Sequence, residues 1–155
     1  MIKIYTDGSS KGNPGPGGYA AIIIYNDNTF KEISQGFRST TNNRMELLAI
    51  ITALKYINKK KGFQDENIVI YSDSQYVINP IKKGWILKWE KNNFKNIKNV
   101  DLWTEIIFLC KNINFDILWI KGHSNNIYND RCDFLAKNII KKNNLDIDYG
   151  FENFF

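Results

Sequence analysis

The sequence predicts an α/β domain with a five-stranded mixed sheet in strand order 3-2-1-4-5, three strands antiparallel and two parallel, flanked by helices on both faces. Three observations predict it. Three strand-like stretches follow one another through residue 37 with only short turns between them. A helix-period segment then separates them from the next strand-like stretch, IVIYS (68–72). Strand and helix patterns alternate from there to the last long helix.

Residues 2–7 alternate Ile2, Ile4 and Thr6 against Lys3, Tyr5 and Asp7, the period of a strand. KGNPGPGG (11–18) reads as a glycine-proline turn. YAAIIIYN (19–26) is a second strand, apolar through its middle and so buried. NDN (26–28) turns the chain, and TFKEISQGF (29–37) alternates as a third strand. Short connections make these an antiparallel meander. The period then changes: RMELLAIITALKYINK places Leu47, Ile50, Ile51, Leu54 and Ile57 on one helical face. A crossover helix before IVIYS implies parallel pairing of that strand with the first. Residues 74–112 read as interrupted helix. Pro80 is expected to break or kink it against the carbonyl of Tyr76, and Gly84 and NNFKN are further breaks. VDLWTEIIFLCKNI (100–113) is amphipathic, FDILWIK (115–121) is the last strand, GHSNNIYN is a loop, and DRCDFLAKNIIKK (130–142) is the last long helix. No linker composition interrupts the chain. Residues 1–142 are expected to form one domain, with a basic segment at 82–98 within it. Residues 143–155, LDIDYGFENFF at their end, form an aromatic and acidic tail that either packs on the body or stays loose.

A chain of 155 residues with 43% hydrophobic residues can bury a core of its own. A net charge of +5 and a pI near 9.1 favour a polyanionic partner. No signal peptide and no apolar run of bilayer-spanning length is visible, so no membrane association is expected. Cys110 and Cys132 sit in helix-like segments and make no metal-type pair. They are expected reduced and buried, which points to the cytoplasm. Nothing in the pattern requires oligomerisation or an obligate protein partner, and a monomer is expected.

Two stretches share one pattern. IKIYTD and IVIYSD each end a strand on an aspartate, Asp7 and Asp73, followed by a turn-prone residue. If the strands are neighbours, about 4.8 Å apart, the two carboxylates repel one another unless a proton or cation lies between them. A hard divalent ion such as Mg²⁺ suits such a site. Each aspartate alone has an ordinary reading as a turn or helix-capping residue. Glu46 likewise has one, because Asn43-x-x-Glu46 resembles a capping box. Asp130 and Asp133 both lie near the start of the last helix, where either would favour the helix dipole, and spacing does not choose between them. His123 is the lone histidine. It opens a polar loop, where an imidazole titrating near neutrality could carry protons.

TDGSSKGNPGPGGYA, TTNNRMEL, SDSQYV, the NVDLW stretch and KGHSNNIYNDRCDFLA resemble bacterial type 1 ribonuclease H, the ribonuclease HI family. The motifs stand in family order and spacing over nearly the whole chain. The resemblance implies the ribonuclease H-like fold, and a catalytic domain spanning 1–142. It implies four metal-binding carboxylates, Asp7, Glu46, Asp73 and Asp133, which singles out Asp133 over Asp130, and it matches His123 to the family's loop histidine. The implied activity is endonucleolytic hydrolysis of the RNA strand of an RNA–DNA hybrid with two Mg²⁺ ions, Mn²⁺ being a substitute, to give 3′-hydroxyl and 5′-phosphate products. Asp7 would bridge the ions, Asp73 and Glu46 would complete one side and Asp133 the other, and His123 would shuttle a proton or help product leave.

Preference for RNA requires sensing the 2′-hydroxyl. Gly8, Ser9 and Gly12 would let the backbone approach the sugar. Asn13, Asn43 and Gln75 would hydrogen-bond the hydroxyl or minor-groove base edges, and Thr41 and Asn42 would hold a DNA phosphate. Arg44 pairs either with phosphate or with a local carboxylate. KKGWILKWEKNNFKNIK (82–98) sets six lysines against one acid, Glu90. In the family this region is a basic protrusion gripping the DNA strand, so Lys82, Lys83, Lys88, Lys91, Trp85 and Trp89 are expected substrate contacts, although helical lysines are commonly a solvated face and helical tryptophans packing anchors. Pro80 departs from the family's helical run there. A strand-transfer nuclease on the same sheet generally lacks the TNNRME and KGH motifs, and a binding module without catalysis would lack a carboxylate.

Overall fold

The computed structural model describes residues 1–60, 62, 66–122 and 125–153. Its elements are β1 (Ile2–Ser10), β2 (Gly15–Ile24), β3 (Phe30–Thr40), α1 (Asn42–Lys59), β4 (Ile68–Ser72), α2 (Gln75–Lys82), α3 (Trp85–Lys91), α4 (Val100–Asn112), β5 (Asp116–Trp119), α5 (Ile127–Asn138), a 3₁₀ turn (Ile139–Lys141) and α6 (Tyr149–Glu152). The strands form one sheet in the order β3-β2-β1-β4-β5. β1 pairs antiparallel with β2, and β2 with β3, while β1–β4 and β4–β5 are parallel. This is the topology the change of period predicts.

The sheet is buried on both faces at its centre. Ile2, Ile4, Ile23 and Ile70 meet Leu47, Ile50 and Leu54 of α1 and Trp103 and Ile106 of α4 on one face. Tyr5, Ala20 and Ile22 meet Cys132 and Ala136 of α5 on the other. Alternation along β1 therefore divides its side chains between two cores, as a strand covered by helices on both sides requires.

Local differences from the sequence reading have physical causes. Part of the glycine-proline stretch is strand: β2 starts at Gly15. A side chain at Gly17 would stand 2.6 Å from Thr40 Cγ2, and one at Gly18 would stand 2.5 Å from the Ala136 carbonyl oxygen. These glycines serve close packing rather than a turn. α2 runs through Pro80 and ends two residues later, with the Lys83 N–H donating to the Asn79 carbonyl. A proline this close to the end costs α2 only the bond to Tyr76. β5 is shorter than predicted, and α5 starts earlier because Asn126 caps it, accepting from the N–H groups of Tyr128 and Asn129. Beyond the 3₁₀ turn the chain lies along β3. Asp146 exchanges backbone bonds with Gly36 and Arg38, and Arg38 pairs with Glu152. No helix among the described residues is long and apolar enough to cross a membrane.

Candidate active site

The parallel pairing of β1 and β4 matches Tyr5 with Tyr71. Two residues further along each strand direction come Asp7, in β1, and Asp73, just past β4, so the two carboxylates arrive side by side at the same end of the sheet. The third acid comes from α1. A side chain at Gly8 would meet the Glu46 backbone nitrogen and lie 2.5 Å from the Met45 carbonyl carbon. Only glycine lets the first turns of α1 press on β1 there and bring Glu46 against Asp7. Asp7, Glu46 and Asp73 each offer a carboxylate oxygen, all within 4.8 Å of one another, the group of this kind found among the described residues.

Asp7 is 5% exposed and Glu46 7% exposed. Burial, and then the neighbouring charge of Asp73, push the Asp7 carboxyl up to about 7. Burial, Asp7 and Asp73 push Glu46 well above the carboxylate range. Glu46 Oε2 is buried with no hydrogen-bond partner. Asp7 Oδ1 accepts from the Gly8 N–H at 2.9 Å, which favours its ionised form without offsetting the burial. A crowded, desolvated, all-oxygen set with an unsatisfied lone-pair donor is what a hard divalent cation requires of its ligands. The residues present fit such an ion.

The remaining candidates are placed as follows. Asp133 stands outside the close group. Its Oδ2 accepts from Lys137 Nζ at 3.1 Å, one turn along α5, and its charge still reaches Asp7. Asp130 is exposed in the first turn of the same helix. His123 lies outside the described residues. The N-cap of α1 is Thr41, whose hydroxyl accepts from the Arg44 N–H, so Asn43 caps nothing and Glu46 is the helix's fifth residue rather than a capping-box partner. Asn13 ties the β1–β2 loop to α1, its Oδ1 accepting from the Ser10 hydroxyl at 2.8 Å and the Asn42 N–H at 2.9 Å. Gly8 and Ser9 lie at the end of β1 beside Asp7, and Gly12 has φ 86°. Gln75 is exposed at the start of α2, next but one to Asp73.

Lys82, Lys83, Lys88 and Lys91 are exposed. Trp85 is 39% exposed with Lys83 Nζ 5.4 Å from its ring centre. Trp89 turns the other way and packs edge-on against Trp103, centroids 5.2 Å apart. Sequence reasoning left Arg44 open and overlooked its partners. Arg44 is buried and paired with both Asp101 and Asp148. The one available signal was a pair of acids, in NVDLW and in the tail, with no other assigned task. Trp119 was also unmarked; its indole N–H donates to the Asp73 carbonyl oxygen at 3.3 Å.

The sequence profile of the family described as RNase H matches residues 1–141. The chain belongs to the ribonuclease H family. Within that family, the Ribonuclease H of Desulforamulus reducens is 46% identical over 152 residues, covering 95% of this chain and 92% of that protein. The Ribonuclease HI of Helicobacter pylori is 51% identical over 136 residues, 88% of this chain and 90% of that protein. Among solved structures, LC9-RNase H1, described as a type 1 RNase H with the type 2 active-site motif, superposes with a TM-score of 0.81 at 25% identity, covering 97% of this chain and 79% of that one. LC11-RNase H1, solved in complex with an RNA/DNA hybrid, gives a TM-score of 0.69 at 24% identity over 90% of this chain and 96% of that one. As ribonuclease H proteins are nucleases, this chain is an enzyme of that class, and the carboxylate group lies where β1, α1 and β4 of the shared fold converge.

Proposed function

We propose that this ribonuclease H cuts internally within the RNA strand of RNA–DNA hybrids, leaving a 3′-hydroxyl and a 5′-phosphate. The observation that carries the reading is the meeting of Asp7, Glu46 and Asp73 oxygens within 4.8 Å, two of the three side chains buried. Family membership and the hybrid bound by LC11-RNase H1 support the substrate. Asp7, Glu46, Asp73 and Asp133 would hold two divalent cations, Mg²⁺ with Mn²⁺ as a substitute. When bound, such ions supply a water nucleophile of lowered pKa and neutralise charge developing on the leaving oxygen.

The chain's own residues do the rest. Asp7 feels the charges of Asp73 and Asp133 and abuts Glu46, so it is the acid placed to serve both halves of the site. Burial of Glu46 fixes its carboxylate and keeps water from it. The bare face of Gly8 is taken up by α1, so Ser9 and Gly12 are the residues whose backbone a ribose would approach. Asn13, Asn43 and Gln75 supply amides for the 2′-hydroxyl or base edges, and Thr41 and Asn42 offer a hydroxyl and a side-chain amide to a phosphate of the DNA strand. The exposed lysines of 82–91 grip the DNA strand with Trp85, and Trp89 anchors that segment to the body. His123, on the resemblance alone, carries protons. Free cysteines at 110 and 132 accord with a reducing cytoplasm, where the enzyme acts as a monomer.

Competition among labelled RNA–DNA hybrid, double-stranded RNA and duplex DNA tests the substrate. Hybrid cleavage should dominate, and preferential cutting of duplex DNA would overturn the assignment.

A further inference from the structure

Arg44 is 3% exposed, and every polar atom of its guanidinium is engaged. Nε and Nη2 donate to Asp148 at 2.8 and 2.9 Å. Nη1 and Nη2 donate to Asp101 at 2.9 and 2.7 Å, and Nη1 also reaches Asn99 Oδ1 at 3.3 Å. Two bidentate carboxylate pairs on one buried arginine fix its plane in both directions. The network continues. Thr40 Oγ1 donates to Asp148 at 2.8 Å, Asn99 Nδ2 donates to the Tyr76 hydroxyl at 2.9 Å, and Trp103 Nε1 donates to the same hydroxyl at 3.3 Å.

The residues joined in this way come from the two ends of the proposed hybrid-binding surface. Arg44 follows Thr41–Asn43 in the first turn of α1. Asp101 lies in the first turn of α4, just after the basic segment 82–98 returns to the body, and Asn99, at φ 61°, is the N-cap of that helix. From Arg44 the chain of contacts runs through Asn99 and the Tyr76 hydroxyl to Trp103, and from Trp103 to Trp89 and so to α3, and Lys111 to Glu90 ties α4 to α3 again.

We infer that the Arg44–Asp101 pair is a strut that sets the spacing between the α1 phosphate loop and the basic protrusion, so that one hybrid engages both at once. This rests on the proposed function, in which both elements touch the hybrid. Arg44 and Asp101 are positioning residues and touch no substrate. Two contacts held at a fixed spacing bind far more tightly than two that wander, because the second is made at high effective concentration. The benefit exists only for a hybrid long enough to reach both.

The test measures kcat and KM for Asp101→Ala on hybrids of about 6 and about 20 base pairs, with Arg44→Lys as a second variant and Lys88→Gln/Lys91→Gln as a reference. Asp101 is half-exposed, so its loss leaves Asp148 on Arg44 and the fold in place. For Asp101→Ala, KM on the long hybrid should rise about tenfold toward the short-hybrid value, with KM on the short hybrid and kcat on either within about twofold of the intact enzyme. Arg44→Lys should raise the long-hybrid KM in the same direction. A long-to-short KM ratio that survives in Asp101→Ala while the lysine variant abolishes it would overturn the strut. A fall in kcat on both substrates with the ratio unchanged would do so too, by showing mere structural support of the carboxylates. If the lysine variant leaves the long-hybrid KM unchanged, the reading of the protrusion itself fails.

Discussion

Asp7 and Asp73 stand level at the end of two hydrogen-bonded parallel strands, two residues beyond the paired Tyr5 and Tyr71. The strand spacing of about 4.8 Å places the Asp73 charge where, on top of burial, it raises the proton affinity of both Asp7 and Glu46, and Asp7 raises that of Glu46 further. The site is therefore a strained arrangement until a cation joins it.

Asp7→Asn removes one of these charges. In chelator the variant should be more stable than the intact protein by about 1–3 kcal/mol at pH 7, read as a higher denaturant midpoint with unchanged slope. The same variant should lose hybrid cleavage. A stability–activity trade of this sign marks a residue kept for chemistry.

The pH dependence has a definite sign. The folded-state pKa of Asp7, about 7, exceeds its ordinary 3.8, so between those values the folded protein binds the extra proton. Stability from this group is full below about pH 4 and declines as pH rises toward 7. Because other carboxylates, such as Asp101 beside Arg44, are shifted downward and act oppositely, the intact protein should be compared with Asp7→Asn in urea at several pH values. The gap between them should widen from pH 4 to 7 in chelator and narrow when divalent cation is added.

Gly8→Ala should be more damaging than its size suggests. The added carbon falls on the backbone of Met45 and Glu46, which cannot yield without moving α1 from the sheet. A loss of about 2–4 kcal/mol with loss of cleavage is expected from melting and activity measurements. Gly62→Ala, where nothing lies within 4 Å, should cost only the strain of its φ of 95°, about 1 kcal/mol.

Asp148→Ala should destabilise by about 3–5 kcal/mol, because it leaves a buried guanidinium half-paired. Asp101→Ala, at a carboxylate 46% exposed, should cost about 1 kcal/mol. Denaturant midpoints of the two variants test the contrast.

Much of this was legible in the sequence because it is local. The switch from period two to a helical period before IVIYS encodes the crossover, and the repeated Ile-x-Ile-Tyr-(Thr/Ser)-Asp encodes the aspartate pair. Glu46 was harder, since Asn43-x-x-Glu46 imitates a cap that the chain in fact makes two residues earlier at Thr41. What remained hidden depends on distant partners. Gly17 and Gly18 look like turn residues until Thr40 and Ala136 are seen to press on them. Asp148 looks like a solvated tail acid until Arg44, 104 residues away, is found against it.

The most direct measurement is a time course of labelled RNA cleavage in an RNA–DNA hybrid, run in Mg²⁺ and in chelator, for the intact chain, Asp7→Asn, Glu46→Gln and Asp73→Asn. Internal cuts ending in a 3′-hydroxyl should appear only for the intact chain with Mg²⁺. Cleavage that persists in chelator, or in Asp7→Asn, would contradict the role given to these carboxylates.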